Sequence, residues 1–477
     1  MFFWREPEVI VDASRYFTQA KHLKIYGIGY FLKEWGNSIP AWTDLPLIPF
    51  IYGMILKFFG EFRIYIQIFT TFLFSMTIVL TFLIGKTLWG EDVGFFGGVL
   101  LLGTPYLFIQ VPLMLVDIPT MFFLTFSIFT TIKALNEGTV KFIVLSSLSI
   151  FLTFFSKYST WLMLSVLIVV FLVLRTQNSK LQTPNYIYRG IVIALISVFL
   201  IGCVILSKYD VFSEQIKLLM AYQLPGLKRW GESFVSTFLF QIHPFITAAA
   251  LYSTYAAFKK RDLKYTIISF LVILIVLMQI KRIRYIIMVF PMFALMASYG
   301  LREIKNIELR KFIVSCAVIF SLVVATFAYF PFIQKISTVN LKDAGEFLDS
   351  LDVKNVEVFT LPSIKPIVNP AVSVPILDLF TDKRIYYEYN PDFFPVSEEI
   401  KKSALRFTWE YKNPKYYTFN NEDSRKAIVV ISSDIEQTLP EYIEQKTKKY
   451  PHSIVFKTTE GVFQYKTIVT VYYGKNG

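Results

Sequence analysis

The chain has 477 residues, 54% of them hydrophobic and only 17% charged, with a net charge of +13. Soluble domains carry about 25% charge, and so few polar groups cannot cover so much apolar side chain in water, which excludes an ordinary soluble protein and points to a membrane as solvent. The basic residues gather at the ends of apolar runs, the pattern of membrane orientation and anionic-lipid contact, not of nucleic-acid binding.

Residues 1–63 read as a first external segment. Arg5, Glu6, Glu8 and Asp12 come early, and no apolar core or small-residue cleavage site marks a signal peptide. Residues 12–25 (DASRYFTQAKHLKI) predict a short amphipathic helix. Residues 45–59 are too short and proline-broken to span, and suit an interfacial or re-entrant piece.

Residues 64–332 predict a transmembrane helical domain of about ten spanning helices, at 64–88, 93–111, 115–134, 141–156, 159–175, 188–207, 236–258, 265–281, 284–300 and 311–332. Pro105 interrupts the second. Between the sixth and seventh, 211–233 mixes Leu and Met with Lys217, Lys228, Arg229 and Trp230, and reads as an amphipathic stretch on the membrane surface. Residues 333–477 change character, with regular charge, helical spacing at 341–351 and 440–450, and strand-like runs at 356–361, 427–432, 453–456 and 463–473. That mixture predicts a small α/β domain. The expected fold is therefore mainly α, a multi-spanning helical bundle with a C-terminal α/β domain.

Loop charge sets the orientation. One alternate set of loops holds Lys86, Lys133, Lys141, Arg175, Lys180, Arg189, Lys259, Lys260, Arg261, Lys264, Arg302, Lys305, Arg310 and Lys311; the other holds Lys157, Lys208, Lys217, Lys228, Arg229, Lys281, Arg282 and Arg284. The richer set belongs in the cytoplasm. The N-terminal segment, the loop at Asp117, Lys157, the Lys281–Arg284 cluster and the C-terminal domain then all face outward from the cell membrane.

Several chemistries find no residues. Cys203 and Cys316 lie in apolar runs and read as packing residues. His22, His243 and His452 form no HExxH pair, and no Walker A loop is present. What remains is a set of ionisable groups flanking apolar helices, where charge is costly and asks for a reason. Asp12 opens a helix and reads either as an N-cap or as a functional acid. Asp44, in WTDLPLIP, is a turn residue or a further acid. Asp117, in MLVDIPTMFF, carries the same cap ambiguity, with Pro119 in the first turn. Lys157, in FFSKYSTW, is a snorkelling lysine or a ligand for an anion. Arg282 and Arg284, in IKRIRYIIMVFP, are helix-end anchors or cations of the same site. Carboxylates and cations on one outer surface suit a phosphate-bearing amphiphile, with cations on the phosphate and carboxylates handling a hydroxyl. A transporter of a lipid-linked sugar is the alternative from another class, although the ionisable groups gather near one face and no internal repeat is visible.

In order, these pieces resemble the GT-C superfamily of polyprenyl-phosphate-sugar-dependent glycosyltransferases, in the glycosyltransferase family 39-like branch of protein mannosyltransferases and lipid A aminoarabinose transferases. DASRYFTQAKHL resembles the acidic first external segment, and WTDLPLIPFIYGMILKFFGEFRI the stretch of Lys-Pro-Pro-Leu type that ends in Phe-Gly and an arginine. VDIPTMFF resembles the second acidic motif, FFSKYSTW the Thr/Ser-Lys motif and RIRYIIMVFPMFALMA the Arg-Tyr-Pro helix. The family usually has a spanning helix before the first external segment, and MFFWREPEV begins where that helix would end. Ala13 stands where the family's Asp-Glu pair has Glu. Thr43-Asp44-Leu45-Pro46 stands where relatives have Glu-Lys-Pro-Pro, without the phosphate-touching lysine or the glutamate that some relatives use for a divalent metal. The resemblance implies a polyprenyl-phosphate-linked sugar donor, surrounding membrane lipids, and a protein, lipid or glycan acceptor. It makes Asp12 the general base and Asp117 its assistant, with Lys157, Arg282 and Arg284 on the lipid phosphate and Tyr285 lining the pocket.

Overall fold

The computed structural model describes residues 8–177, 184–223, 232–361, 368–389, 400, 405–418, 426–458 and 466–474. Arg5, Glu6, Lys180, Lys228, Arg229, Trp230 and residues 463–465 of the expected last strand lie outside the described residues.

The chain is mainly helical. Among the described residues, six helices are long and apolar enough to cross a membrane: Arg63–Trp89, Asp117–Glu137, Ser159–Thr176, Asn185–Ser207, Ile283–Leu301 and Ile307–Ile333. Their outer faces show why they need a lipid solvent, since Phe72, Val79, Leu195, Phe199, Leu206, Phe312, Ile319 and Phe327 point outward. The protein is a multi-pass membrane protein. The other expected spans are shorter helices, Glu91–Leu102, Val140–Phe154, Pro244–Lys260 and Tyr265–Leu277. Glu91–Leu102 stops at Gly103, ahead of Pro105, which begins a separate turn.

Loops expected on one side do meet. Lys86 pairs with Glu91, Trp89 donates to Asp262 at 2.8 Å, Lys264 donates to the Leu88 carbonyl at 3.3 Å, and Arg310 pairs with Asp92 at 3.3 Å. Arg189 donates to the Leu135 carbonyl at 2.9 Å, joining two further loops of that set.

Three N-terminal elements build the floor of the site. Helix α1 (Ile10–Glu34) extends beyond the expected 12–25 in both directions and turns sharply at Gly27, whose φ of 87° side chains rarely adopt. Helix α2 (Leu47–Phe59) is the proline-flanked apolar piece, and α3 (Arg63–Trp89) is the first long span. Helices α1 and α2 cross at Gly53, where an added Cβ would stand 2.7 Å from Leu23 Cβ and 2.9 Å from the Ala20 carbonyl. The surface stretch after residue 207 begins as the helix Tyr209–Leu218.

Among the described residues, the C-terminal domain holds a five-stranded mixed sheet in the order β2-β1-β3-β5-β4. Its strands are β1 (Asn355–Thr360), β2 (Arg384–Tyr387), β3 (Lys426–Ser432), β4 (His452–Phe456) and β5 (Ile468–Tyr473). β1 pairs in parallel with β2 and β3, and β5 runs antiparallel to both β3 and β4. The inward residues Val356, Val358, Val429, Ile431, Val469 and Val471 pack under the helix Thr338–Ser350. The same core continues without a break into Ala13, Tyr16, Phe17 and Ala20 of α1 and Ile48 and Tyr52 of α2. The domain is thus fused to the first external segment by shared apolar burial. Because the α1–α2 crossing has no room for a side chain, Gly53→Val is expected to lower stability by about 1–3 kcal/mol, read as unfolding in detergent at lower temperature or denaturant; unchanged unfolding would contradict the close crossing.

Candidate functional site

Asp12 lies in the first turn of α1 but caps nothing, since the N-cap is Val9 and no side-chain cap bond forms. The carboxylate instead reaches sideways. Arg15 Nη2 donates to Asp12 at 3.0 Å and to Asp44 at 2.9 Å. Arg284 closes on the other Asp12 oxygen, and its Nη2 also donates to Asp117 at 3.0 Å. The second Asp117 oxygen accepts from Lys157 at 2.5 Å. Six side chains therefore form one alternating chain, Asp44–Arg15–Asp12–Arg284–Asp117–Lys157. Each charge faces opposite charge, as groups withdrawn from water require.

Local sequence explains each position. Asp117 is the first residue of Asp117–Glu137 and likewise makes no cap bond. The loop before it is pinned from two sides. Glu8, fully buried and paired with Arg63 at 2.5 Å, accepts from the Met114 N–H at 2.8 Å, and Tyr52 donates to the Leu115 carbonyl at 2.6 Å. Lys157 sits in the break between Val140–Phe154 and Ser159–Met163. Carbonyls freed by that break find donors in Thr160, 2.8 Å from the Thr153 oxygen, and in the Trp161 indole, 2.9 Å from the Phe154 oxygen. Within a membrane a broken helix is tolerated only when its backbone is satisfied in this way. Arg284 lies in the short turn Ile283–Ile286, whose first N–H donates to Glu232 at 2.8 Å.

Asp44 closes the turn that begins at Ala41, its N–H donating to the Ala41 carbonyl at 2.8 Å, and is also a buried member of the network: its second oxygen accepts from Gln19 at 3.2 Å and its carbonyl from Gln215 at 2.8 Å. Gln215 lies on the surface helix and accepts from Tyr158, the neighbour of Lys157, at 2.5 Å. Arg282 stands beside the chain of ion pairs, its guanidinium 5.7 Å from the Tyr285 ring centroid; Lys157 lies 5.0 Å from the same ring. Both cations thus lie close to the Tyr285 ring. Sequence reasoning missed Arg15, Gln19 and Gln215. The signal for Arg15 was present, because residues three apart share a helix face.

Exposure and charge separate the three acids. Asp12 and Asp117 both have their two oxygens committed to cations, but Asp117 is 1% exposed whereas Asp12 keeps 22%. Desolvation pushes the Asp12 pKa up, but Arg284, Arg15 and Arg282 together outweigh it and hold the carboxyl well below the usual range. At Asp44 desolvation wins: assisted by the negative charge of Asp12 and only partly opposed by Arg15, Gln19 and Lys157, it pushes the pKa up to about 6. Carboxyls in one cluster with divergent affinities for protons are a mark of functional sites. Among the described residues, no group of three or more His, Cys, Asp or Glu side chains is arranged to hold a metal ion. A separate cavity of about 600 Å³ lies farther along α1, lined among others by Lys21, Lys24, Glu61, Asp378 and Tyr416; no residue of the six-membered chain lines it.

Residues 41–212 match the sequence profile of the family described as dolichyl-phosphate-mannose-protein mannosyltransferase. The whole chain is similar in structure to ArnT from Cupriavidus metallidurans bound to undecaprenyl phosphate, with a TM-score of 0.59 and 12% identity over 98% of this chain and 95% of that one. The chain has the fold of this ArnT. The apo state of the same ArnT gives a TM-score of 0.57 at 11% identity, again over 98% and 95%. The archaeal oligosaccharyltransferase AglB from Archaeoglobus fulgidus, in complex with an inhibitory peptide and a dolichol-phosphate, is a weaker likeness, with a TM-score of 0.48 at 12% identity over 82% of this chain and 61% of that one. No curated protein matches the chain in sequence. The profile match takes in Asp44, Asp117 and Lys157, and the fold brings Asp12 and Arg284 to them from outside it.

An ordinary aspartate is ionised at pH 5, but Asp44, with its pKa raised to about 6, is protonated there. Difference infrared spectroscopy is expected to show a protonated-carboxyl band that grows as pH falls through about 6 and is missing in Asp44→Asn. Its presence in that variant would assign the proton elsewhere.

Proposed function

We propose that the protein moves a single sugar from a polyprenyl-phosphate donor, dolichyl or undecaprenyl, to a hydroxyl of a protein, lipid or glycan acceptor on the outer side of the membrane. The observation that carries this reading is the bridge made by Arg284 between Asp12 and Asp117, with Lys157 on the far oxygen of Asp117. Four residues distant in the sequence meet at one point, next to a surface helix, in a GT-C fold. The family profile and the undecaprenyl phosphate bound to ArnT favour a lipid-phosphate donor. Loop charge favours a site facing outward, and the four shorter helices bring the proposed number of spans to about ten.

The roles follow from accessibility. Asp12, ionised and partly open, takes the proton of the acceptor hydroxyl as its oxygen attacks the anomeric carbon. The bond from that carbon to the phosphate oxygen breaks in the same displacement, and the anomeric centre inverts. The phosphate leaves with the electron pair of that bond, and its added charge meets Arg284, Lys157 and Arg282, cations already in place before the reaction. Asp12 and Asp117 each stand between two cations, but Asp117 is sealed from solvent, so it orients Lys157 and Arg284 and leaves the acceptor to Asp12. Tyr285 lines the pocket between Lys157 and Arg282, and Asp44 acts through Arg15.

A positioned base contributes about 10²–10⁴-fold, or about 3–5 kcal/mol. Asp12→Asn preserves shape and removes basicity, so it is expected to insert normally and lose transfer about 100-fold or more, measured as sugar release from a panel of polyprenyl-phosphate sugars. Near-wild-type transfer would remove the base assignment. Lys157→Ala and Arg282→Ala are each expected to weaken polyprenyl-phosphate binding about tenfold or more, as a charged hydrogen bond worth about 1.5–3 kcal/mol implies. Unchanged affinity in both would remove the phosphate clamp.

A further inference from the structure

Arg15 is held in an aromatic enclosure assembled from both ends of the chain. Its guanidinium carbon lies 4.7 Å from the Phe407 ring centroid, 5.8 Å from Trp42 and 5.7 Å from Tyr16. Phe407 comes from the turn Arg406–Glu410 of the C-terminal domain and packs against Trp42 at 6.2 Å. Trp42 adopts φ of 46°, a left-handed conformation unusual for a bulky side chain. Such strain persists only where the surroundings fix it, and it concentrates at functional sites. What it accomplishes here is visible two residues later: the loop turns so that the Trp42 ring covers Arg15 while Asp44 reaches its Nη2. A second tie joins the same helix to the same domain, where Lys21 pairs with Asp378 at 2.6 Å and Tyr417 donates to Asp378 at 2.5 Å.

We propose that Arg15 is the positioning residue of the site, clamped by Phe407 and Trp42 so that the C-terminal domain sets where Asp12 stands. The proposal rests on reading Asp12 as the base. Arginine has the right chemistry for this role, because a planar guanidinium can stack on rings and span two carboxylates at once, and an ammonium cannot do both. Geometry supplies the rest. Asp12 has two oxygens, one facing Arg284 and one facing Arg15. When a donor phosphate draws Arg284 toward itself, Arg15 is the contact that remains to keep the base aimed. Arg15 does not touch the phosphate cations Lys157 and Arg284 through any bond of the chain except by way of Asp12, so its loss acts on the catalytic step more than on donor capture.

The experiment measures kcat, donor affinity and the Asp44 infrared titration in the full-length protein for Arg15→Met, Arg15→Lys and Phe407→Leu, beside Asp12→Asn. The groups facing Asp44 are Arg15, Gln19, Tyr16 and Asp12 from α1, Lys157 and Tyr158 from the helix break, and Gln215 from the surface helix. Of these, Arg15 is the cation in direct contact. Arg15→Met is expected to lower kcat about tenfold or more, consistent with the sensitivity of catalysis to misplacement by about 1 Å, while polyprenyl-phosphate affinity changes less than about threefold. It should also move the Asp44 titration upward, because a lost cation disfavours the anion. Arg15→Lys should restore the titration and only part of kcat, and Phe407→Leu should lower kcat with donor affinity kept. Wild-type kcat in Arg15→Met, or equal losses of kcat and donor affinity in all three variants, would overturn the proposal. Normal kcat in Phe407→Leu alone would remove the domain from it. If Asp12→Asn also retained transfer, the reading beneath the proposal would be the one that fails.

Discussion

Everything proposed for this protein depends on one line of alternating charge, from Asp44 through Arg15, Asp12, Arg284 and Asp117 to Lys157. Withdrawing an ion from water costs several kcal/mol even after the protein relaxes, and only close opposite charge and hydrogen bonds offset that cost. The line meets the requirement because each interior member has a partner on both sides. The same logic makes it brittle, since removing one member leaves its neighbours uncompensated. Three acids alternate with Arg15, Arg284 and Lys157, and Arg282 and Glu232 lie beside them. An anionic headgroup would compete with the carboxylates for cations that can make charge-assisted hydrogen bonds to a phosphate.

The surrounding fold serves mainly to hold that line together. Its members arrive from α1, the loop before α2, the start of one span, the break in another helix and the start of a third segment. None of these is adjustable on its own. The Glu8–Arg63 pair and Tyr52 fix the loop that delivers Asp117. Thr160 and Trp161 satisfy the break that delivers Lys157. The apolar core shared by α1, α2 and the C-terminal sheet holds the helix that carries Asp12. The sheet domain is therefore part of the scaffold of the site, not an appendage to the bundle.

Much of this was legible in the sequence. Asp12, Asp117 and Lys157 stood out because a charge beside an apolar run needs a reason, and all three lie in the network. Arg282 and Arg284 were read together, and it is Arg284 that bridges the two acids; two residues apart on a short turn, they could be ordered only by its geometry. Arg15 looked like one more polar residue on an amphipathic helix, because a sequence does not state which face meets which partner. Strands β1, β3 and β4 follow clear apolar runs, whereas β2 is four residues beside Lys383, and the helix Val374–Leu379 hides behind Pro370 and Pro375. The docking of the sheet on α1 was not legible at all, since apolar contact carries no address.

The most direct measurement is a structure of the full chain in lipid nanodiscs with undecaprenyl phosphate bound. The phosphate is expected beside Lys157 and Arg284, with the Arg284–Asp12 contact opened and Arg15 still on Asp12. A phosphate seated elsewhere on the protein, with the six-residue chain intact, would contradict the proposed donor site.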